Sequence, residues 1–267
     1  MLSQPPRRLL TLTNCPPSYQ IEGAVAQGGR EPSIWDTFCD IPGKIADGSS
    51  GTVAYDSYNR WQEDSRVILL GGRNDPINQK GLEFYVRLVV ALLVAGITPF
   101  ITLFHWDVPE ALEKRYGGLL NRQEFLLDFE HYARTMFAAF PKCKHWNTIN
   151  EPWASAAGGY GWGRMAPGRS SDCTKSPEGD STRELWEVGH TLLAAHGLAV
   201  RAYRRDFPGG EIGITPNGDF AYPWEVNDPA DVEAANRHIE FVISWFADPS
   251  TAATLGNLSL PRARQQN

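Results

Sequence analysis

The chain has 267 residues, of which 42% are hydrophobic and 21% charged, and its formal net charge at pH 7 is −6. These values are typical of a soluble globular protein with a sizeable core, and the negative charge argues against nucleic acid or an anionic membrane surface as a partner. No apolar run approaches the roughly 20 residues of a membrane span, so no membrane association is expected. The apolar stretch within the first eighteen residues is too short and too polar for a signal peptide. We therefore expect a cytoplasmic rather than a secreted protein.

The sequence contains no motif for a metal or a nucleotide cofactor. Its four cysteines are scattered without the short spacing of a metal site, and we expect free thiols at Cys15, Cys39, Cys143 and Cys173. No glycine-rich phosphate-binding motif is present either. We therefore predict no cofactor and no bound metal.

The first quarter of the chain shows little regular structure. Residues 1–17 form an irregular segment with two Pro-Pro pairs. Residues 20–60 are rich in glycine, serine, aspartate and aromatic rings but lack helical periodicity, so long loops are predicted there. A weak helical pattern covers residues 58–70 and stops at two glycines.

A helix and a buried strand are predicted next. Apolar residues recur at three- and four-residue spacing from Leu82 to Leu92, which indicates a helix with one buried face. Residues 97–104 then form a mostly apolar run that predicts a buried strand. Its carboxyl end leads directly into His105 and Trp106.

The alternation of helix and strand continues. Asn121 and Glu124 resemble a capping box at the start of a second helix. The apolar run of residues 146–149 predicts a strand that ends in Asn150 and Glu151. Parallel strands of a β/α barrel carry their catalytic groups at such ends, which makes Glu151 the first candidate for a catalytic acid. The alternative is that these two residues only open a loop.

A Gly- and Pro-rich loop of about 30 residues precedes the third helix. Ser181 and Glu184 resemble a second capping box at the start of that helix. Residues 211–215 form the third strand and lead to Asn217. Asp228-Pro229 then supplies the N-cap and first residue of a helix that runs to about residue 246. This order predicts an α/β fold with a parallel sheet.

Several motifs are specific when they are read together. They are SYQIEGA at 18–24, PSIWDTF at 32–38, TLFHWDVP at 102–109, TINEP at 148–152, YG with APGR at 160–169, and WFADP at 245–249. In this order they resemble the β-glucosidases of glycoside hydrolase family 1, of the fungal type. The resemblance covers residues 18–249, and residues 250–267, which lack any period, are predicted to be a disordered tail.

This resemblance implies a (β/α)8 barrel that hydrolyses β-glucosides or cello-oligosaccharides with retention of configuration. It makes Glu151 the general acid/base on strand 4 and Asn150 the residue that binds the sugar 2-hydroxyl. Gln20 and His105 would bind hydroxyls on the far side of the same ring, since amide and imidazole groups pair with hydroxyls. Trp106 would support the floor of the pocket.

Other residues near the motifs are assigned with alternatives. Asn217, at the end of the third strand, is a further candidate for substrate contact. Trp162 either faces an aglycone or packs within its loop, and Trp35 and Trp146 are assigned to the core. The remaining histidines receive no role in the chemistry: His131, His145, His190, His196 and His238.

The chain also departs from the family pattern. Prolines precede the Gln20 motif where the first strand belongs, and residues 64–78 leave no room for the second strand and its helix. The Thr-Glu-Asn-Gly motif that carries the family's nucleophile is not in this sequence. The fold predicted is therefore an incomplete (β/α)8 barrel, with roughly strands 1–5 but without strand 2.

Two interpretations of function remain. Retaining hydrolysis needs two carboxyl groups about 5–5.5 Å apart, and the motifs supply only Glu151. The chain is either a β-glucosidase of this family or a catalytically inactive fragment that binds sugar weakly. Exposed barrel edges would in addition favour self-association.

Overall fold

The computed structural model describes Gly23, residues 31–52 and residues 71–251. The predicted irregular segment at 1–17, the first strand, Gln20 and the weak helix at 58–70 lie outside these residues. The boundary predicted at residues 249–250 falls inside the last described helix, which continues to Thr251. The rest of the predicted tail is again outside the described part.

A three-stranded parallel sheet forms the centre of the described structure. Its strands are β1 (Phe100–Phe104), β2 (His145–Asn150) and β3 (Glu211–Thr215), in the spatial order β1-β2-β3. All three agree with the strands predicted from the sequence. Because the strands are parallel, their carboxyl ends lie at one edge of the sheet, where residues after each strand can meet.

Helices flank and connect these strands. They are α1 (Ile34–Cys39), α2 (Gln79–Val94), α3 (Glu110–Tyr116), α4 (Arg122–Ala139), α5 (Glu184–Asp206), α6 (Pro229–Ile239) and α7 (Trp245–Thr251). A 3-10 turn covers Gly118–Leu120, and π-helical turns cover Ala154–Gly158 and Glu240–Ser244. Within the described ranges, none of the helices is both long and apolar enough to cross a membrane.

The core lies between β2 and the helices that connect it to its neighbours. Trp146 of β2 is 1% exposed, and its ring contacts Phe137 of α4 and Tyr203 of α5 at centroid distances of 4.9 and 6.4 Å. A β-carbon added to Gly189 would lie 2.2 Å from the Trp245 ring, so α5 and α7 pack together only because this position is glycine. Large rings and small helix residues thus fix the helices on one face of the sheet.

Helix α1 corrects the prediction that residues 20–60 are loops. It has only six residues, too few for a periodic pattern to be visible. Its start is nevertheless stabilised locally, because the Asp36 carboxylate accepts a hydrogen bond of 2.8 Å from the Ser33 backbone N–H. The helix is anchored to the residues after β1, where Ile34 N–H donates to the Val108 carbonyl at 3.0 Å.

The glycine-rich segment after β2 is also more ordered than a long loop. It begins with the π-helical turn Ala154–Gly158. A β-carbon on Gly158 would lie 2.5 Å from the Met165 sulfur, and one on Gly159 would lie 2.6 Å from the Ala166 carbonyl oxygen. Small residues therefore serve close packing here, which the sequence pattern could not distinguish from a flexible loop.

The three predicted helix starts have different outcomes. Asp228 caps Pro229–Ile239 as predicted, and the Asn121 side chain accepts from the Glu124 N–H at 3.2 Å. The capping box at Ser181 is wrong: α5 begins at Glu184, and the Ser181 hydroxyl donates to the Gly161 carbonyl at 2.6 Å. Ser181 therefore ties down the preceding segment instead of starting the helix.

Candidate active site

His105 and Asn150 meet at the carboxyl edge of the sheet. Asn150 Nδ2 lies 3.1 Å from His105 Nε2, although the two residues are 45 positions apart in the chain. Since the amide nitrogen donates, Nε2 accepts and the neutral ring carries its proton on Nδ1. Burial lowers the pKa of His105 to about 4, so the imidazole is neutral at physiological pH. The pair offers a neutral surface suited to hydroxyl groups.

Trp106 is held in an uncommon backbone conformation beside this pair. Its φ is +70°, in the left-handed region, and its ring lies edge-on to His105 at 5.1 Å. The Trp35 ring stacks on it at 6.2 Å, and Trp35 Nε1–H donates to the Trp106 carbonyl at 3.2 Å. Trp35, which was assigned to the core, is therefore a half-buried support for Trp106.

Glu151 follows Asn150 and is also in the left-handed region, with φ of +47°. Its backbone N–H donates to the Thr215 carbonyl of β3 at 2.7 Å, which fixes this turn to the neighbouring strand. Such a conformation costs a non-glycine residue about 1–3 kcal/mol and commonly marks functional positions. Desolvation by burial raises the pKa of the Glu151 carboxyl, the direction that a proton donor needs.

Two buried polar atoms near these strand ends have no hydrogen-bond partner among the described residues. They are Trp106 Nε1, a donor, and Asn217 Oδ1, an acceptor. Buried polar groups are normally satisfied, so both are candidates for contact with a ligand. Asn217 follows β3, which places it at the same edge as the other candidates.

An aromatic pair lies on the segment that follows Glu151. The Trp153 and Trp162 rings are 5.1 Å apart and nearly perpendicular, and Trp162 is 44% exposed. Trp162 therefore packs within its segment and still presents surface to solvent, as each of its two predicted roles requires. Gln20 lies outside the described residues. In the described ranges no group of three His, Cys, Asp or Glu residues is arranged to hold a metal ion.

Thr148 and His196 were missed by the reasoning from sequence. The fully buried Thr148 hydroxyl lies 2.8 Å from His196 Nδ1 and donates to the Gly213 carbonyl at 3.1 Å. His196 was given no role because it lies within a helix pattern. A threonine in the middle of an apolar strand is the signal that could have identified the pair, since a buried hydroxyl requires a partner.

Comparison with known proteins gives consistent matches. Residues 11–265 match the model for glycosyl hydrolase family 1. Beta-glucosidase 1B of Phanerodontia chrysosporium is 51% identical over 254 residues, which are 87% of this chain and 47% of that protein. A furostanol glycoside 26-O-beta-glucosidase of Hellenia speciosa is 45% identical, with 87% and 45% covered.

Solved structures agree. The crystal structure of a GH1 beta-glucosidase from the fungus Humicola insolens, in complex with glucose, has a TM-score of 0.83 and 62% identity, and the match covers 87% of this chain and 53% of that one. Beta-glucosidase 2 of Trichoderma reesei gives 0.79 and 57%, with 87% and 52% covered. The chain spans about half the length of the relatives it matches, and its sheet and connecting helices form part of a (β/α)8 barrel, as predicted.

Proposed function

Since the chain belongs to glycosyl hydrolase family 1, we propose that it carries the sugar-binding and proton-donating part of a β-glucosidase site. The observation that supports this most directly is the contact of Asn150 with His105 beside Glu151, at the ends of adjacent strands. The proposed substrates are β-glucosides or cello-oligosaccharides, whose hydroxyls both donate and accept hydrogen bonds.

Each residue has a distinct proposed task. Asn150 and His105 bind hydroxyls, with the neutral imidazole able to donate through Nδ1. Trp106 forms the apolar floor of the site. Glu151 acts as general acid and gives its proton to the glycosidic oxygen as the leaving group departs. Burial raises the pKa of Glu151, which is the direction that favours a proton donor.

Hydrolysis with retention requires a second carboxylate as nucleophile. Within the described residues, desolvation is the only cause of the shift at Glu151, and no neighbouring carboxylate adds to it. This favours a second candidate function for the chain by itself, weak sugar binding without turnover. The two candidates share the same residues and differ only in whether a nucleophile is supplied.

Hydrolysis of two aryl β-glucosides, one with a poor and one with a good leaving group, tests the proposal. Glu151→Gln should lower kcat/KM for the poor substrate by about 10²–10⁴-fold and that for the activated one much less. This ratio reports the step in which the leaving group departs, and only the poor leaving group needs protonation there. Glu83→Gln, an exposed carboxylate on α2, serves as the matched control and should leave both rates unchanged. Equal losses on both substrates would contradict the acid role of Glu151.

Calorimetric titration with the sugar-shaped inhibitor deoxynojirimycin addresses the second candidate. Binding without turnover by the folded chain, weakened by Asn150→Ala, would establish a sugar-binding site. A folded chain that neither binds the inhibitor nor turns over substrate would overturn both candidates.

We also infer a tendency to self-associate. Large apolar side chains after β3 are 64–90% exposed: Phe220, Tyr222, Val226 and Trp224. Sedimentation velocity over a concentration series measures this tendency directly. A concentration-independent monomer would refute it.

A further inference from the structure

Strand β2 pairs in regular register with one neighbouring strand and in irregular register with the other. Against β1 the register is regular, with Thr102 opposite Asn147 and Phe104 opposite Ile149. Against β3 it is not, because Asn147 pairs with Gly213 and Asn150 with Thr215. Three steps along β2 therefore match two steps along β3. This is a bulge, which bends a strand and redirects the side chains that follow it.

Thr148 lies inside this bulge and is 0% exposed. It points to the same face of the sheet as Trp146, two residues earlier, and reaches α5 through His196. Its hydroxyl donates to the Gly213 carbonyl at 3.1 Å. The side chain thus bridges β2 and β3 across the stretch where their backbone pairing is irregular.

The hydrogen bonds determine which nitrogen of His196 carries the proton. A hydroxyl has a single hydrogen, and that of Thr148 is donated to the Gly213 carbonyl. The contact of 2.8 Å with His196 Nδ1 must then be one in which the ring nitrogen donates. Burial beside Arg204 lowers the pKa of His196 to about 4, so the ring that donates is the neutral tautomer with its proton on Nδ1.

The bulge sets the backbone positions of the residues that follow it, Asn150 and Glu151. Because β2 has gained one residue relative to β3, Asn150 stands opposite Thr215, and the Glu151 N–H donates to the Thr215 carbonyl at 2.7 Å. Glu151 is held at φ of +47° by this arrangement. A conformation of this kind persists only where the surrounding structure enforces it.

We propose that Thr148 and His196 are positioning residues, which fix the bulge in β2 and thereby set the turn that carries Asn150 and Glu151 into the site. The expected effect of these two residues on catalysis rests on the function proposed above. Their expected effect on the backbone at Glu151 does not. Neither residue touches the sugar in this proposal. They act through the backbone of the strand.

Thr148→Val and Thr148→Ser form the matched pair that tests this. Valine keeps the shape and removes the hydroxyl, which leaves the Gly213 carbonyl and the His196 N–H without their partner, whereas serine keeps the hydroxyl. Amide hydrogen exchange of the full chain, followed by NMR, reports on the Glu151 N–H. We expect exchange at Glu151 to become at least tenfold faster in Thr148→Val, relative to the Phe104 amide of β1. In Thr148→Ser it should change less than threefold.

A second pair keeps the test decisive if Thr148→Val fails to fold. His196→Asn retains an N–H donor at a position close to Nδ1, and His196→Leu removes it. We expect His196→Asn to preserve slow exchange at Glu151 and His196→Leu to lose it. Equal exchange in both members of either pair would overturn the proposal, as would a uniform acceleration across all three strands, because that reports only lower global stability.

Inhibitor binding separates this proposal from the proposed function. If the folded wild-type chain does not bind deoxynojirimycin, the proposed function fails, while the exchange experiment still decides whether Thr148 and His196 fix the turn. If the wild type does bind, Thr148→Val should weaken binding about tenfold and Thr148→Ser less than threefold. Unchanged binding in Thr148→Val would overturn the positioning role.

Discussion

The amide of Asn150 and the imidazole of His105 are 3.1 Å apart across the ends of two neighbouring parallel strands. The amide donates to Nε2, and protonation of that nitrogen would break the hydrogen bond. The contact therefore disfavours the charged ring in the same direction as burial does. A site for sugar hydroxyls benefits because the imidazole keeps both an N–H donor and a defined orientation.

Replacing Asn150 with alanine should raise the pKa of His105 above its value of about 4. It should stay below 6.5, because burial of the ring remains. NMR titration of the His105 ring protons measures the change. His190, which is outside the site, serves as the internal control and should titrate identically in both proteins. An unchanged pKa of His105 would mean that the Asn150 contact does not stabilise the neutral ring.

Glu113 on α3 should destabilise the folded state increasingly as the pH rises towards neutrality. Burial raises the pKa of this carboxyl from 4.5 to about 7, and Glu110, Glu178 and Glu184 add to the shift while Arg169 opposes it. The folded state therefore keeps a proton that the unfolded chain has already released between pH 4.5 and 7. The contribution of Glu113 to the free energy of unfolding should therefore decrease across this window by at most roughly 3 kcal/mol and be constant above it. The lowered pKa values of His105 and His196 act in the opposite direction over much of the same range, so the contribution of Glu113 is measured as a difference between variants.

Glu113→Gln removes this titration. Its Oε2 has no hydrogen-bond partner among the described residues, so a neutral amide loses no ion pair there. In denaturant unfolding at several pH values, the free energy of unfolding of Glu113→Gln relative to the wild type should increase between pH 4.5 and 7. Glu83→Gln is the exposed control and should leave the profile unaltered. Parallel profiles for wild type and Glu113→Gln would show that Glu113 does not contribute to the pH dependence of stability.

Removing one partner of the Arg169–Glu184 ion pair should destabilise the folded state more than removing both partners. Arg169 donates from Nε and Nη2 to the two Glu184 oxygens, both at 2.8 Å, and the Glu184 side chain is 5% exposed. Arg169→Leu leaves a buried carboxylate unpaired and should cost about 3–5 kcal/mol of unfolding free energy. Adding Glu184→Leu to it should recover a large part of that loss.

Glu178→Gln provides the comparison for this pair. Glu178 also pairs with Arg169, at 3.0 Å, but its side chain is 69% exposed. Exposed ion pairs are worth about 0–1 kcal/mol, so this variant should differ little from the wild type in urea unfolding. If the double variant is no more stable than Arg169→Leu alone, the loss does not arise from the unpaired Glu184.

The long and periodic elements of the fold could be predicted from the sequence, and the short ones could not. The three strands and helix α2 were recognisable because apolar residues repeat over many positions. Helix α1 has six residues and the π-helical turn Ala154–Gly158 has five, so neither is long enough for a pattern. The capping box predicted at Ser181 is wrong because its hydroxyl donates to a carbonyl 20 residues away, although the neighbouring sequence is typical of a helix cap.

The sequence by itself determined which residues end the strands and which family the motifs resemble, since residue type and periodicity are local properties of the chain. Only the tertiary structure decided that His105 is neutral and pairs with Asn150, and that Thr148 and His196 bridge the bulge before Glu151. These features join residues 45–65 positions apart. Desolvation and hydrogen bonding at that range depend on how distant elements pack, which no local pattern encodes.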